Sequence, residues 1–448
     1  MASTTFIDYS SATPVVAAWL NDVNSITYSG SGYPRLPLTK LTDFGVNLNG
    51  GTVDISSALQ TAINTVLNSA TGGDILFPPG NYLLSQPVNI PKNTSKSLRL
   101  VGFGGVNIFS ANAFPSTVMF NCGQGSTAAG GMDIVFQGLN FINGASNTTL
   151  TVASLLNMNG IQFVDCQFGA FQNGVTMNAC YATRYIRCQW NGTLNNAVYS
   201  STSAHNIVFD SCKAFGVGGT NAAFLKIDVA TNNIVIQNSD FEQCASVYNL
   251  ASGCTSIRVV GTYIEYCVNL EFFHAGVCNQ VHIEDCWIAL NTGTPMAYQN
   301  IQGGTFAGNT LYNQAFTWAG TVLDMDVGDN VLLGTATLAP ANFQTSIAYL
   351  NNWTSASHTF GYKKNRNGTV QLQGQFTAGT GSIGNTAVQL PLGYRPTQQN
   401  IFACITTNNK LVSVVVDPVD GNVVPNVVGG AVGDVVNLDG IIFVATHH

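Results

Sequence analysis

Between about Ile161 and Asn309, apolar and polar residues follow a single line that is written again and again. Copies read Ile161-Gln-Phe-Val-Asp-Cys166-Gln-Phe168, Thr183-Arg-Tyr-Ile-Arg-Cys188-Gln-Trp190 and Ile207-Val-Phe-Asp-Ser-Cys212-Lys-Ala214. They continue as Ile234-Val-Ile-Gln-Asn-Ser239-Asp-Phe241, Ile257-Arg-Val-Val-Gly-Thr262-Tyr-Ile264 and Val281-His-Ile-Glu-Asp-Cys286-Trp-Ile288. The Cys/Ser/Thr position recurs at 166, 188, 212, 239, 262 and 286, in steps of 22 to 27 residues. A period in the twenties is the mark of a solenoid. Inside one copy, positions 161, 163, 166 and 168 are apolar while 162, 165 and 167 are polar. This two-residue alternation, kinked between 163 and 166, suits short strands and not helices. Leucine-rich repeats share the period, but their leucine ladder and helical half are missing. Gly and Asn stand at the joints, where turns need positive φ or side-chain caps. The pattern predicts an all-β chain built on a right-handed parallel β-helix, its coils stacked at ~4.8 Å.

The cysteines take their places in this register. Cys166, Cys188, Cys212 and Cys286 form one column, Cys180, Cys254 and Cys278 a second, and Cys244 and Cys267 a third. Inward columns of a small residue fill a solenoid, and a free thiol packs there as a small hydrophobe. A metal site or disulfide framework is the rival reading. The chain has no CxxC, its 11 cysteines are an odd number, and their spacing tracks the repeat. Interior packing is therefore expected, with no metal and no cofactor. Gly102-Phe-Gly104-Gly105 lacks the following helix that a phosphate loop requires.

On either side of the repeats the chain divides into end pieces. Residues 1–30 hold Thr13-Pro-Val-Val-Ala-Ala-Trp19-Leu20-Asn21-Asp22-Val-Asn24, where Thr13 can cap a short helix opened by Pro14. That string resembles the N-terminal virion anchor of phage tail fibre and tailspike proteins. Residues 31–97 read as a linker (Gly30 to Leu38) followed by an N-terminal cap of the helix body. In the cap, Asp54 is expected to be the N-cap of a helix. The apolar face of that helix, at 58, 59, 62, 63, 66 and 67, would cover an open strand edge. Leu41-Thr-Asp43-Phe-Gly45, the stretch 54–63 and Gly72-Gly-Asp-Ile-Leu-Phe77-Pro-Pro-Gly80-Asn-Tyr82 resemble the start of the pectate-lyase-like β-helix superfamily, which includes phage tailspikes. The acidic run usual there is replaced by Asn47-Leu-Asn-Gly-Gly-Thr-Val-Asp54. The body is expected over 98–340, less regular at first and fading after Asn309. A small antiparallel β-sandwich follows at 341–448, with hairpin signals at Asn367-Gly368 and Asp420-Gly421. Its Asn367-Gly-Thr-Val-Gln-Leu-Gln-Gly374 and Leu390-Pro-Leu-Gly-Tyr-Arg-Pro396 resemble C-terminal receptor-binding or trimerising domains of phage tail proteins.

Composition narrows the partners. Only 8% of residues are charged, where about a quarter is usual, and net charge is −7. This gives no basic footprint for nucleic acid. Mean hydropathy is +0.19, yet no run of 18 apolar residues exists, so membrane insertion is not expected. No basic stretch followed by an apolar core opens the chain, and many free cysteines agree with synthesis in a reducing cytosol.

The register also selects the outward residues. Next to the Cys column these are Gln167, Gln189, Lys213, Asp240, Tyr263 and Trp287, and two residues further Gly169, Asn191, Phe215, Glu242, Glu265 and Ala289. Acids and aromatics converge on adjacent coils in a chain with few acids. Glycoside hydrolysis uses two carboxyls, ~5–5.5 Å apart for retention and ~6.5–9.5 Å for inversion. Glu242, Glu265 and Asp240 are the candidate catalytic groups. Tyr263, Trp287, Lys213 and Arg258 are candidate substrate contacts. A polysaccharide lyase would need a base near the sugar C5 proton and a group to neutralise the uronate; Arg258 and His282 share another outer column with Arg184, where a solvated face is the rival reading. Glu284, Asp285, Glu271 and His274 form a weaker acid and histidine set. The resemblance implies a homotrimeric phage tailspike, made in the host cytoplasm and mounted on the virion tail through residues 1–30. Such a protein would bind a bacterial surface polysaccharide. Whether it cleaves that polymer, as a hydrolase or a lyase, or binds it as a non-enzymatic tail fibre stays open on these residues.

Overall fold

The computed structural model describes residues 35–37, 54–69, 72–91, 96–124, 133–144, 147–218, 222–273, 277–291, 296–313, 315–338, 348–364 and 368–445. The proposed anchor at 1–30, the Leu41–Gly45 string and the Asn367 turn residue lie outside them, as does His274. Each regular coil has three strands. In one coil these are Arg184–Ile186, Gln189–Asn191 and Asn196–Ser200; in a later one they are Thr255–Val260, Tyr263–Glu265 and Asn269–Phe273. Every strand pairs in parallel with its counterpart in the next coil, for example Tyr185 with Phe209, Trp190 with Ala214 and Val198 with Leu225. The architecture is the expected parallel β-helix. In one coil the third strand, Ser246–Leu250, is buried at every position and so shows no alternation, whereas Leu225–Ile227 in the coil before keeps a half-buried residue between two buried ones.

The kink between the first two strands has a repeated cause. One residue at that corner is left-handed in every coil: Gly138, Asp165, Arg187, Ser211, Asn238, Gly261, Asp285, Gly308 and Asp329, with φ between 51° and 70°. Gly, Asn and Asp tolerate this region; Arg187 is less suited, and its guanidinium is held by the Asp165 carboxylate at 2.6 and 2.9 Å. Immediately after the corner comes the Cys column. Its thiols are buried, and each donates to a carbonyl of the coil before: Cys166 to Phe136, Cys188 to Phe163, Cys212 to Tyr185 and Cys286 to Val259, at 3.3 to 3.5 Å. Where the residue is not Cys the bonding differs: Thr262 Oγ1 donates to Val260 O of its own coil at 3.1 Å, while Ser239 and Asn309 reach the coil before. Ser239 Oγ accepts the Cys212 N–H at 3.1 Å, and Asn309 Oδ1 accepts the Cys286 N–H at 3.0 Å while its Nδ2 donates to Ile283 O at 3.0 Å. Asn330 extends the series by donating to Phe306 O at 2.9 Å. Thus the column is packing, as expected, and also a hydrogen-bonded spine for backbone groups that the corner would otherwise orphan.

Behind the corners the interior is a set of stacks. Phe136, Phe163, Tyr185 and Phe209 lie with near-parallel rings 4.8 to 5.3 Å apart, and Phe141, Phe168 and Trp190 form a second stack. Each such pair contributes ~0.5–1.5 kcal/mol beyond the area it buries. The second and third cysteine columns also hold: Cys180, Ala204, Cys254 and Cys278 are buried in line, as are Cys244 and Cys267.

A helix, α1 (Ser56–Asn68), closes the N-terminal end with Leu59, Ile63, Val66 and Leu67 buried. Gln60 imitates a strand partner: its Nε2 donates to Asn89 O and its Oε1 accepts from Asn89 N–H, both at 2.7 Å. The N-cap residue is Ile55, one position later than expected. Asp54 still satisfies the helix start, since its carboxylate accepts from Ser56 N–H at 2.9 Å and from Ser85 N–H at 3.1 Å. That ties the helix to the edge strand. Part of the supposed linker is also structural: Arg35–Pro37 is a strand paired in parallel with Asp74–Leu76. Parallel pairing continues to Thr337–Leu338, well past the point where the cysteine register fades. Residues 348–445 form three antiparallel sheets around Trp353, Phe360, Phe376, Val414 and Val436, including a hairpin that turns at Asp420-Gly421.

Candidate functional site

The second strand of each coil presents two outward columns. Register pairs Gln189 with Lys213, Lys213 with Asp240, Asp240 with Tyr263, Tyr263 with Trp287 and Trp287 with Thr310. The neighbouring column runs Asn191, Phe215, Glu242, Glu265 and Ala289. Strand alternation therefore puts Asp240, Glu242, Tyr263 and Glu265 on one face of two adjacent coils, with Glu242 and Glu265 directly opposite. The intervening Phe241 and Ile264 are fully buried and lock the backbone that carries them.

Around the acids the polar contacts are few. Lys213 Nζ lies 3.4 Å from Asp240 Oδ2, while Asp240 Oδ1 is shielded and has no hydrogen-bond partner. Burial raises the Tyr263 phenol above its usual pKa; a hydrogen bond to Glu265 and the charges of Glu265, Glu242 and Asp240 push the same way. The three carboxylates thus act on one group. On the far side of Tyr263 an aromatic ribbon begins. Tyr263 and Trp287 are parallel at 6.2 Å between centroids, and Trp287 and Tyr312 follow at 5.9 Å. Trp287 Nε1 is shielded and unpartnered. Phe215, 46% exposed, flanks the acids on the opposite side.

Arg258 does not join this group. It sits on the first strand of its coil, across the Gly261 corner, and its guanidinium is 3.5 Å from Glu284. His282 is its register partner, and His282 Nδ1 in turn meets Thr305 Oγ1. Asp285 is a corner residue with φ 55°, which explains its place in the sequence without chemistry. Among the described residues, no group of three His, Cys, Asp or Glu side chains is placed to hold a metal ion. Among the same residues, no helix is long and apolar enough to cross a membrane.

Sequence reasoning missed Tyr312. Its signal was present: Asn309 occupies the Cys position of the next coil, so Tyr312 stands three residues after it exactly as Ala289 follows Cys286. Because Asn was not taken as equivalent to Cys, the register stopped one coil early.

Comparison with solved structures gives likeness at low identity. A protein of Geobacillus virus E2, ORF18, matches at 15% identity over 95% of this chain and 82% of that one, with a TM-score of 0.49. DFA-IIIase from Arthrobacter chlorophenolicus A6 matches at 12% identity over 68% of this chain and 86% of that one, with a TM-score of 0.51. PfbA, a surface adhesin of Streptococcus pneumoniae, matches at 12% identity over 74% and 98%, with a TM-score of 0.45. The DFA-IIIase likeness speaks to the fold alone. Comparison with curated protein sequences returns no match. A family model described as rhamnogalacturonase A/epimerase, pectate lyase-like, matches residues 38–270, just over half of the chain and including Asp240, Glu242 and Glu265. By that match the chain belongs to the pectate-lyase-like rhamnogalacturonase A/epimerase family.

Proposed function

We propose that this protein is a phage tailspike that attaches the virion to a bacterial surface polysaccharide and cleaves it by glycoside hydrolysis. The observation that carries the carbohydrate chemistry is the set of three carboxylates on adjacent coils, bordered by Phe215 on one side and by the Tyr263–Trp287–Tyr312 ribbon on the other. Glu242 and Glu265 face each other across one coil spacing, ~4.8 Å at the backbone, within reach of the ~5–5.5 Å carboxyl separation of a retaining pair. Asp240 and Glu265 are diagonal and suit the wider separation of an inverting pair. In either case one carboxylic acid gives its proton to the glycosidic oxygen as the bond to C1 breaks. The second carboxylate attacks C1 itself or takes a proton from the water that does. The phage part of the reading rests on the strings at 13–24 and 367–396, and with it come a homotrimer and a tail location.

A second reading, binding without cleavage, is favoured by the Lys213–Asp240 ion pair, which occupies one oxygen of a would-be catalytic acid. Lyase chemistry has less support, because Arg258 is paired with Glu284 on a different face. The deciding experiment measures release of reducing ends from purified surface polysaccharides of candidate hosts. Glu242→Gln and Glu265→Gln are expected to lower release by at least about a hundredfold each. If release is unchanged in both, the assigned site is wrong. If no glycan is cut but one is bound, the binding reading replaces cleavage.

A further inference from the structure

Charge on the outward face of the second strands is uneven. Over six successive coils, from Gln189 and Asn191 to Thr310 and Tyr312, that face carries three carboxylates and one cation. The cation, Lys213, is already committed to Asp240. Among the described residues, Glu242 and Glu265 have no cation beside them on this face. Elsewhere on these coils Arg187 pairs with Asp165, Arg258 with Glu284 and Lys226 with Asp228, while the exposed Arg184 stands across the Arg187 corner, two coils before Asp240. The whole chain adds to the same sign, with a net charge of −7.

Resting on the carbohydrate reading above, we infer that the glycan held here is uncharged along its backbone, a polymer of neutral or N-acetylated sugars and not one of uronate, sialate or phosphate units. Proteins that hold anionic sugars place Arg or Lys against each carboxylate or phosphate, because charge-assisted pairs are what recognise them. Here an anionic residue would meet two or three like charges within a Debye length, ~8 Å at physiological salt, and no free cation on this face among the described residues. A neutral sugar meets no such penalty. Its hydroxyls can donate to the carboxylate oxygens of Glu242 and Glu265, while its apolar face rests on the exposed parts of Phe215, Tyr263 and Tyr312. The raised Tyr263 phenol agrees with a negative potential over this stretch. The inference sets this chain apart from what a pectin-type, uronate-bearing substrate would demand of the same fold.

The test is a glycan microarray bearing neutral and N-acetylated bacterial oligosaccharides beside uronate- and sialate-bearing ones of matched length. The full chain is probed at about 20, 150 and 300 mM salt. Expected hits are neutral glycans whose affinity changes by less than about twofold across the salt series. Anionic glycans are expected at least about tenfold weaker at the lowest salt, with the gap closing as salt rises. In the Glu242→Gln/Glu265→Gln double variant, checked for native melting behaviour, the anionic probes should gain severalfold. A uronate or sialate glycan as the tightest ligand, weakening as salt rises, overturns the neutral-glycan inference and leaves the carbohydrate site in place. Binding to no glycan, with the double variant silent as well, removes the carbohydrate site and the inference with it.

Discussion

The corner spine makes a quantitative demand on one residue. Asn309 is fully buried; its Oδ1 takes the Cys286 N–H and its Nδ2 supplies Ile283 O. Replacing it with Ala strands a buried donor and a buried acceptor on the preceding coil. Each such group costs ~1–3 kcal/mol, so Asn309→Ala should destabilise that coil by about 2–5 kcal/mol. Cys286→Ala removes only a weak thiol donor and one sulfur, and should cost about 1 kcal/mol. Asn309→Ser, which copies the way Ser239 receives the Cys212 N–H, should recover roughly half of the loss. Because a solenoid opens coil by coil, global melting blurs this difference. Native-state hydrogen exchange at the Cys286 amide reads it directly. In Asn309→Ala that amide should exchange roughly 30-fold to 3,000-fold faster, with amides of the N-terminal coils unchanged. Equal costs for Asn309→Ala and Cys286→Ala, or an unaltered Cys286 amide, would refute the idea that this column carries the corner.

Other consequences are quicker to check. Burial pushes the Cys212 and Cys286 thiols up to about 12, and ten of the eleven cysteines are buried. An aromatic disulfide reagent at pH 8 should therefore titrate only the half-buried Cys404 in the native protein and all eleven after unfolding. Burial raises Tyr82 to about 12, and burial with a hydrogen bond to Asp228 raises Tyr199 to about 12. A folded pKa above the unfolded value of 10 means that their contribution is intact below pH 10 and lost as pH climbs towards 12. Tyrosinate absorbance should show these two ionising late, and Tyr82→Phe should remove one of the late steps. Gly304 has φ 141°, and a Cβ there would sit 1.9 Å from Val281 O. Gly304→Ala should cost at least about 3 kcal/mol in urea unfolding, whereas Gly303→Ala, with open space around it, should cost about 1–2 kcal/mol for its positive φ alone.

How far the fold could be read from residues depends on which side of the backbone carried the information. The alternation in Ile161–Phe168 and its copies exposes the first two strands because one face is apolar and the other wet. The third strand of one coil, Ser246–Leu250, is covered on both sides and has no period. The kink between 163 and 166 was legible, but the left-handed residue that makes it was not. Asp165, Arg187, Ser211, Asn238 and Gly261 share a backbone conformation and nothing else. In the next column Cys, Ser and Thr align from the repeat alone, and Asn309 joins them through its bonds to Cys286 N–H and Ile283 O. The candidate acids were legible because strand register converts a linear offset into a neighbour, as with Glu242 and Glu265. Arg258 was not, since an offset does not reveal that a sharp corner intervenes.

The spine also determines where the coils are free to differ in length. Between the second and third strands, the aligned positions Gly169 and Val175 are six residues apart, while Phe215 and Leu225, in the same two columns, are ten apart. Extra residues thus enter after the second strand, downstream of the spine, and the ladders on both sides keep their register. That entry point lies along the rim of the acid-bearing face. Loop insertion alone could therefore rebuild the surroundings of the acid-bearing face. The corners would hold the carboxylates at a constant spacing while the selectivity around them drifted.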